Sequence, residues 1–345
     1  MKILPCSRRA KKHNRADSAS SNTLDPNHLT LSKRVDSWLC KTTQVLYSSD
    51  LDEIIVIGYM RRDENYQINT YDGKNFTLHN SVEAHKAAIY KAILIPKGLL
   101  FLVTISADQT MKIWSLSGLS LVSQIRMNYI PQDICVNPNI PAVILVGKSY
   151  HIKSYCPKTG SLLGEMITES VNGFSSCIYL SEKNVVAAGV YDQQVIHFID
   201  CRTGLTINMV KAENHVDSII GMQLIQSQYL VAASVDLICV WDIQNLSQPK
   251  MHLQIELPLK KVSSFHVNEE YDAIFVTTRT PVIDIYRLSD GTFMKFLPTK
   301  MQKCSSLTFA HGTRQLLVAD NAEGAISVFT YSDKMKLSCQ TCNIF

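Results

Sequence analysis

Three side chains in this sequence have the types that acid–base chemistry uses: His85, Thr104 and Asp108. A hydroxyl, an imidazole and a carboxylate form a nucleophilic relay when the imidazole takes the hydroxyl proton and the carboxylate orients the imidazole. Such a relay needs its hydroxyl exposed to substrate beside an oxyanion hole. The same groups also satisfy one another when buried. A second candidate is Cys339-Gln340-Thr341-Cys342, which has the spacing of half a zinc site. A closed site takes four ligands, and no second Cys-x-x-Cys or His pair accompanies it, so no metal is expected. The chain also has no Gly-x-Ser-x-Gly, no Walker loop, no Gly-x-Gly-x-x-Gly and no His-Glu-x-x-His, which leaves no cofactor to expect.

The elements around these residues repeat. Aromatic residues that end an apolar run stand at Tyr71, Trp114, Tyr155, Phe198, Trp241, Tyr286 and Phe329, with successive spacings of 43, 41, 43, 43, 45 and 43. Two further apolar runs of strand length lie upstream of each aromatic and one lies downstream. In the second unit these are Ile89 to Ile95, Leu100 to Ile105, Met111 to Leu116 and Leu121 to Met127. Turns such as Ser117-Gly118, Thr159-Gly160 and Asp290-Gly291 bound them, so each unit reads as a four-stranded antiparallel meander. A lone sheet of this kind is apolar on both faces, and packing seven in a ring covers every face. The expected fold is all-β, a seven-bladed β-propeller over 28–341, with blades near 35–84, 85–127, 128–170, 171–213, 214–258, 259–300 and 301–341.

At the second unit, Ala84-His85, Thr104, Asp108 and Lys112-Ile113-Trp114 resemble the WD40 repeat, with its Gly-His start and Trp-Asp end. In that family a buried His bridges an Asp and a Ser/Thr, and the Trp indole completes the set. The resemblance therefore moves His85, Thr104, Asp108 and Trp114 from catalysis to architecture. His215, Asp236 and Trp241 form a partial copy in the fifth unit, where Ala232 or Ser234 falls near the Ser/Thr position; Ala84 and Asn214 stand where the family has Gly. A phosphoinositide-binding propeller is expected to carry Phe-Arg-Arg-Gly, and Met60-Arg61-Arg62-Asp63 lacks both flanking residues.

Charge separates the ends from the body. Residues 1–34 hold eight basic side chains and two acidic ones, which leaves the rest near neutral at −2, without the basic footprint of a nucleic-acid-binding domain. Residues 1–27 read as a disordered polar tail; its cluster Arg8, Arg9, Lys11 and Lys12 fits a nuclear-import patch or a solvated arm. The ten scattered cysteines and the lack of a secretory leader point to a reducing interior, cytoplasm or nucleus. The last four residues, 342–345, fit a prenylation box with Cys342 as acceptor, which would make the protein a lipid-tethered membrane adaptor. Two segments compete to close the ring as outer strand of the last blade: Met335 to Cys339, or His28 to Leu31 arriving from the N-terminus.

The expected function is a non-catalytic protein-interaction scaffold with protein partners. Binding belongs on the face made by the loops that enter each innermost strand and those between second and third strands. That top face would include Arg61, Arg62, Tyr129, Lys148, Tyr150, Tyr191, Lys260, Lys261, Arg279, Lys300 and Lys303, and aromatic and Arg side chains are favoured hot spots. A propeller enzyme is the third reading, for which no convergent acid, base or metal set is evident.

Overall fold

Period-two alternation with apolar residues on both phases can bury itself only between two other sheets. The computed structural model of the chain shows that solution. It describes residues 24–95, 98–211, 217–257, 261–310 and 313–331. A 3-10 turn, Pro26–His28, leads into β1 (Leu29–Asp36). Blade one is β2 (Lys41–Ser48), β3 (Glu53–Met60), β4 (Asn65–Asp72) and β5 (Leu78–His85). Blade two is β6 (Ile89–Ile95), β7 (Phe101–Ser106), β8 (Thr110–Ser115) and β9 (Ser120–Arg126). Blade three is β10 (Pro131–Asn137), β11 (Ala142–Gly147), β12 (Ser149–Tyr155) and β13 (Leu162–Ile167). Blade four is β14 (Phe174–Leu180), β15 (Val185–Val190), β16 (Val195–Asp200) and β17 (Thr206–Lys211). Blade five is β18 (Gly221–Ile225), β19 (Tyr229–Ala233), β20 (Leu237–Asp242) and β21 (Lys250–Glu256). Blade six is β22 (Val262–Asn268), β23 (Ala273–Thr278), β24 (Val282–Arg287) and β25 (Phe293–Pro298). Blade seven has β26 (Cys304–Ala310), β27 (Gln315–Asp320) and β28 (Ala325–Tyr331). No helix among the described residues is long and apolar enough to cross a membrane.

The core is seven apolar clusters, one at each junction between neighbouring blades. The second strands show how alternation divides the work. On β3, Ile54 and Val56 face blade seven while Ile55 and Ile57 face blade two. On β11, Val143 and Leu145 face blade two while Ile144 and Val146 face blade four. At roughly 1.5–3 kcal/mol for each fully buried aliphatic side chain, these strands hold the blades together more than any polar contact does. The seven repeat aromatics all lie in third strands and all are buried.

Blade seven is completed by β1, which pairs antiparallel with β28 from Leu29↔Tyr331 to Asp36↔Ala325. Of the two segments able to close the ring, the N-terminal one does so. Val35 and Asp36 consequently belong to blade seven, and blade one begins at Lys41 rather than at 35. Residues 24–27, expected as the end of a disordered tail, are folded against the ring. Leu24 donates its N–H to the Glu270 carbonyl at 2.5 Å and packs on the cluster between blades six and seven. Asp25 accepts the Asn27 N–H at 2.8 Å, capping the 3-10 turn. Arg8, Arg9, Lys11, Lys12, Cys339 and Cys342 lie outside the described residues.

Candidate functional site

The His-Thr-Asp set forms one hydrogen-bonded chain that joins the end of β5, in blade one, to blade two; His85, expected as the first residue of blade two, is the last residue of β5. His85 Nδ1 lies 2.9 Å from Asp108 Oδ2 and Nε2 lies 2.8 Å from Thr104 Oγ1. The Trp114 indole N–H donates to the same Thr104 oxygen at 3.0 Å. With the proton on Nδ1, every donor finds an acceptor: indole to threonine, threonine to imidazole, imidazole to carboxylate. Thr110 supports the far end, its hydroxyl donating to Asp108 Oδ1 at 2.6 Å. Burial lowers the His85 pKa, against the pull of Asp108, and keeps the ring neutral. Burial pushes the Asp108 carboxyl up, but the bonds from Thr110 and His85 outweigh it and its pKa ends low. Thr104 is 0% exposed and His85 1%. No substrate reaches this hydroxyl, so the geometry is architectural.

Strand register explains why the chain is made once. Trp114 pairs with Leu102, and Thr104 stands two residues further along β7. The same step from the other aromatics reaches Val56, Leu145, Gly189, Ala232, Val276 and Val318. None has a hydroxyl. In blade five the position is therefore Ala232; Ser234 lies further along, where its hydroxyl reaches Asp236 Oδ1 at 3.3 Å and accepts from Gln194 Nε2 at 2.9 Å. His215 lies outside the described residues.

The innermost strands line an axial cavity of about 200 Å³ whose walls include Thr43, Gln44, Tyr90, Lys91, Gln223 and Ser305. Several of its polar groups tie neighbouring blades together. Ser175, Ser263 and Ser305 sit at bulges of β14, β22 and β26, and each hydroxyl donates to a carbonyl of the next blade: Ile219 at 2.8 Å, Cys304 at 3.1 Å and Thr42 at 2.7 Å. The Gln44 amide acts as a short strand, exchanging two 2.9 Å bonds with the backbone of Ala92. Lys91 Nζ lies 3.3 Å from Asp133 Oδ1, and Asp133 also accepts the N–H groups of Ile134 at 2.8 Å and Cys177 at 2.9 Å. The carboxylate raises the Lys91 pKa, so one ion pair ties blades two, three and four. Among the described residues no group of three or more His, Cys, Asp or Glu could hold a metal.

The side chains expected on the top face are in three states. Arg61, Arg62, Lys148, Lys261, Arg279 and Lys300 are exposed, and Tyr150 is 49% exposed beside His151, ring centroids 4.2 Å apart. Lys148 Nζ stands 4.4 Å over the half-buried Tyr191 ring, joining the turns of blades three and four by a cation–π contact. Lys303 is half-buried. Tyr129 does not project with them: it packs on the cluster between blades two and three, its hydroxyl is buried, and burial raises its pKa. Lys260 lies outside the described residues.

Sequence reasoning missed Trp38, which is 69% exposed in the top-face connection from β1 to β2. Its backbone has φ 59°, a left-handed conformation unusual for a bulky side chain. Assigning residue 35 onward to blade one placed it inside the first blade rather than in the connection that precedes it. The paired ends of β1 and β2 leave Ser37 to Cys40 as a short loop.

No protein-family model matches the sequence, and no curated protein matches it. Solved structures do match. Raptor of Chaetomium thermophilum is similar over 88% of this chain with a TM-score of 0.76 and 13% identity, and this chain spans 29% of the Raptor chain. The β-propeller domain of Cps50 (Swd1) from Myceliophteria thermophila is similar over 88% of this chain and 100% of that one, with a TM-score of 0.76 and 12% identity. At that identity the likeness is one of fold, the β-propeller.

Proposed function

We propose that this WD40-type propeller is a non-catalytic protein-interaction platform of the cytoplasm or nucleus, docking its partners on the top face. One observation carries the reading: the groups that look catalytic are buried and spent on one another, whereas the top loops of a closed ring hold out Tyr150, Arg279 and the Lys148–Tyr191 pair. Rigid scaffold with protruding aromatic and cationic side chains is what a hot-spot surface requires. The test is affinity purification of the full chain against a variant with Tyr150, Tyr191 and Arg279 changed to Ala. Loss of partners supports the top face; full retention moves binding to the rim or the ends.

A second reading, a lipid-tethered adaptor, draws support from the closure. With β1 in the outer place of blade seven, the residues after Tyr331 are not needed to complete that sheet. Intact-mass measurement of the native protein would show a prenyl group on Cys342 or dismiss it.

A further inference from the structure

Trp38 is held out by a locked neighbour. Ser37 is 0% exposed; its N–H and its hydroxyl both donate to the Gly324 carbonyl. Its own carbonyl accepts from Asn69 Nδ2 at 3.0 Å and from the Tyr71 hydroxyl at 2.5 Å. Burial pushes the Tyr71 phenol up to about 12, so it stays a donor. On the other side Leu39 is buried between blades seven and one. The Trp38 N–H is satisfied by Asp36 Oδ1 at 2.9 Å. A large apolar side chain is thus carried into solvent on a pinned backbone, in a conformation that costs free energy. That combination marks binding anchors: strain is kept where a surface must be preorganised.

The surroundings define what the anchor takes. The Arg61 N–H donates to Cys40 Sγ at 3.4 Å, and Lys303 accepts the Asn321 N–H at 2.9 Å in the turn that ends at Gly324. Trp38 therefore lies between two basic loops. The top loops of blades six, seven and one carry six cations, Lys261, Arg279, Lys300, Lys303, Arg61 and Arg62, against three carboxylates, Asp36 at the end of β1, Asp63 and Glu64, and Glu323 is already held by Arg34. The loops of blades three to five reverse the sign, with Glu169, Asp192, Asp217 and Asp236 against Lys148. A face polarised this way steers an anion to one arc and repels it from the other.

We infer that Trp38 and the basic arc of blades six, seven and one dock an acidic segment of a partner protein, one apolar side chain covering the indole and carboxylates meeting Arg61 and Lys303. The inference rests on the platform reading and names its partner class. A polynucleotide fits less well, because one exposed indole on this arc is not the succession of stacking rings that a single strand uses.

The protein carries its own reporter. Of its three tryptophans, Trp114 and Trp241 are buried and only Trp38 is exposed, so quenchable, red-shifted emission comes from Trp38. The full chain should be titrated with a synthetic Asp/Glu-rich peptide built around one leucine, with its Asn/Gln and Lys counterparts, and with oligouridylate. The acidic peptide is expected to shift Trp38 emission and to bind more weakly as salt rises. Trp38→Ala, and separately Arg61→Glu with Lys303→Glu, should each weaken binding about tenfold or more at an unchanged melting temperature, while Arg202→Glu on the opposite face changes nothing. Equal binding of the Asn/Gln or Lys peptide, tighter binding of oligouridylate, or an unaffected Trp38→Ala would overturn the inference. If the acidic peptide fails while native partners still require Tyr150 and Tyr191, this inference falls and the platform stands.

Discussion

Blades two and five carry tryptophan at the same place in the third strand, Trp114 and Trp241, and support it by different means. In blade two the indole starts a chain of four side chains that ends at Asp108. In blade five the matching position is Ala232, and the nearest hydroxyl, Ser234, is tied to Asp236 and to Gln194 from the blade before. The aromatic is demanded by packing between blades, and every unit keeps one. The polar chain depends on a single hydroxyl, and six of the seven units do without it.

The largest test of that contrast is His85→Ala, which leaves the buried Thr104 hydroxyl without its acceptor and takes from Asp108 the bond made by His85 Nδ1. Urea unfolding should show a loss of roughly 1–3 kcal/mol. Thr104→Val, which keeps the shape, should fall within the same range, because the indole N–H and His85 Nε2 both lose their partner. A loss under about 0.5 kcal/mol in both would mean that packing alone holds blade two.

Acidity gives an intermediate effect. The folded pKa of His85 is depressed by burial, so below the ordinary value of about 6.5 the unfolded chain binds a proton that the folded chain refuses. The contribution of His85 is therefore complete above pH 6.5 and is lost as pH falls toward its folded pKa, at no more than about 1.4 kcal/mol per pH unit. His197, also depressed by burial, acts in the same sense. Unfolding measured from pH 7.5 down to 5.5 should give a shallower slope in His85→Gln than in the parent; identical slopes would place the proton uptake elsewhere.

The smallest expected effect is in blade five. Gln194→Leu removes the bond to Ser234 but also removes a buried amide oxygen that has no hydrogen-bond partner among the described residues. The two nearly cancel, and stability should change by less than about 1 kcal/mol. A loss matching that of His85→Ala would show that blade five relies on polar support after all.

What could be read in advance follows from which forces leave a periodic trace. The ring was legible because packing repeats: an aromatic every forty-odd residues and second strands apolar on both phases. The blade-two chain was legible because four side chains of fixed roles coincide. Ring closure was not, since both Met335 to Cys339 and the stretch after His28 alternate well enough to form an edge strand, and partner choice depends on contacts distant in sequence. Tyr129 looked like an exposed loop aromatic and instead packs half-buried against the core, because a half-turn of backbone decides which way a ring points. Trp38 was hidden for the opposite reason, as nothing in Ser37-Trp38-Leu39 signals a left-handed tryptophan.

The pairing of β1 with β28 also sets the order in which the molecule can be finished. Leu29 leaves the ribosome early and must wait for Tyr331. Until then the chain is an open arc with bare strand edges at both ends, the state most exposed to aggregation. The joint is in effect a check on completeness: a chain cut short of Ala325 has no partner for its first strand, cannot shut, and offers proteolysis and chaperones an edge that the finished molecule has hidden.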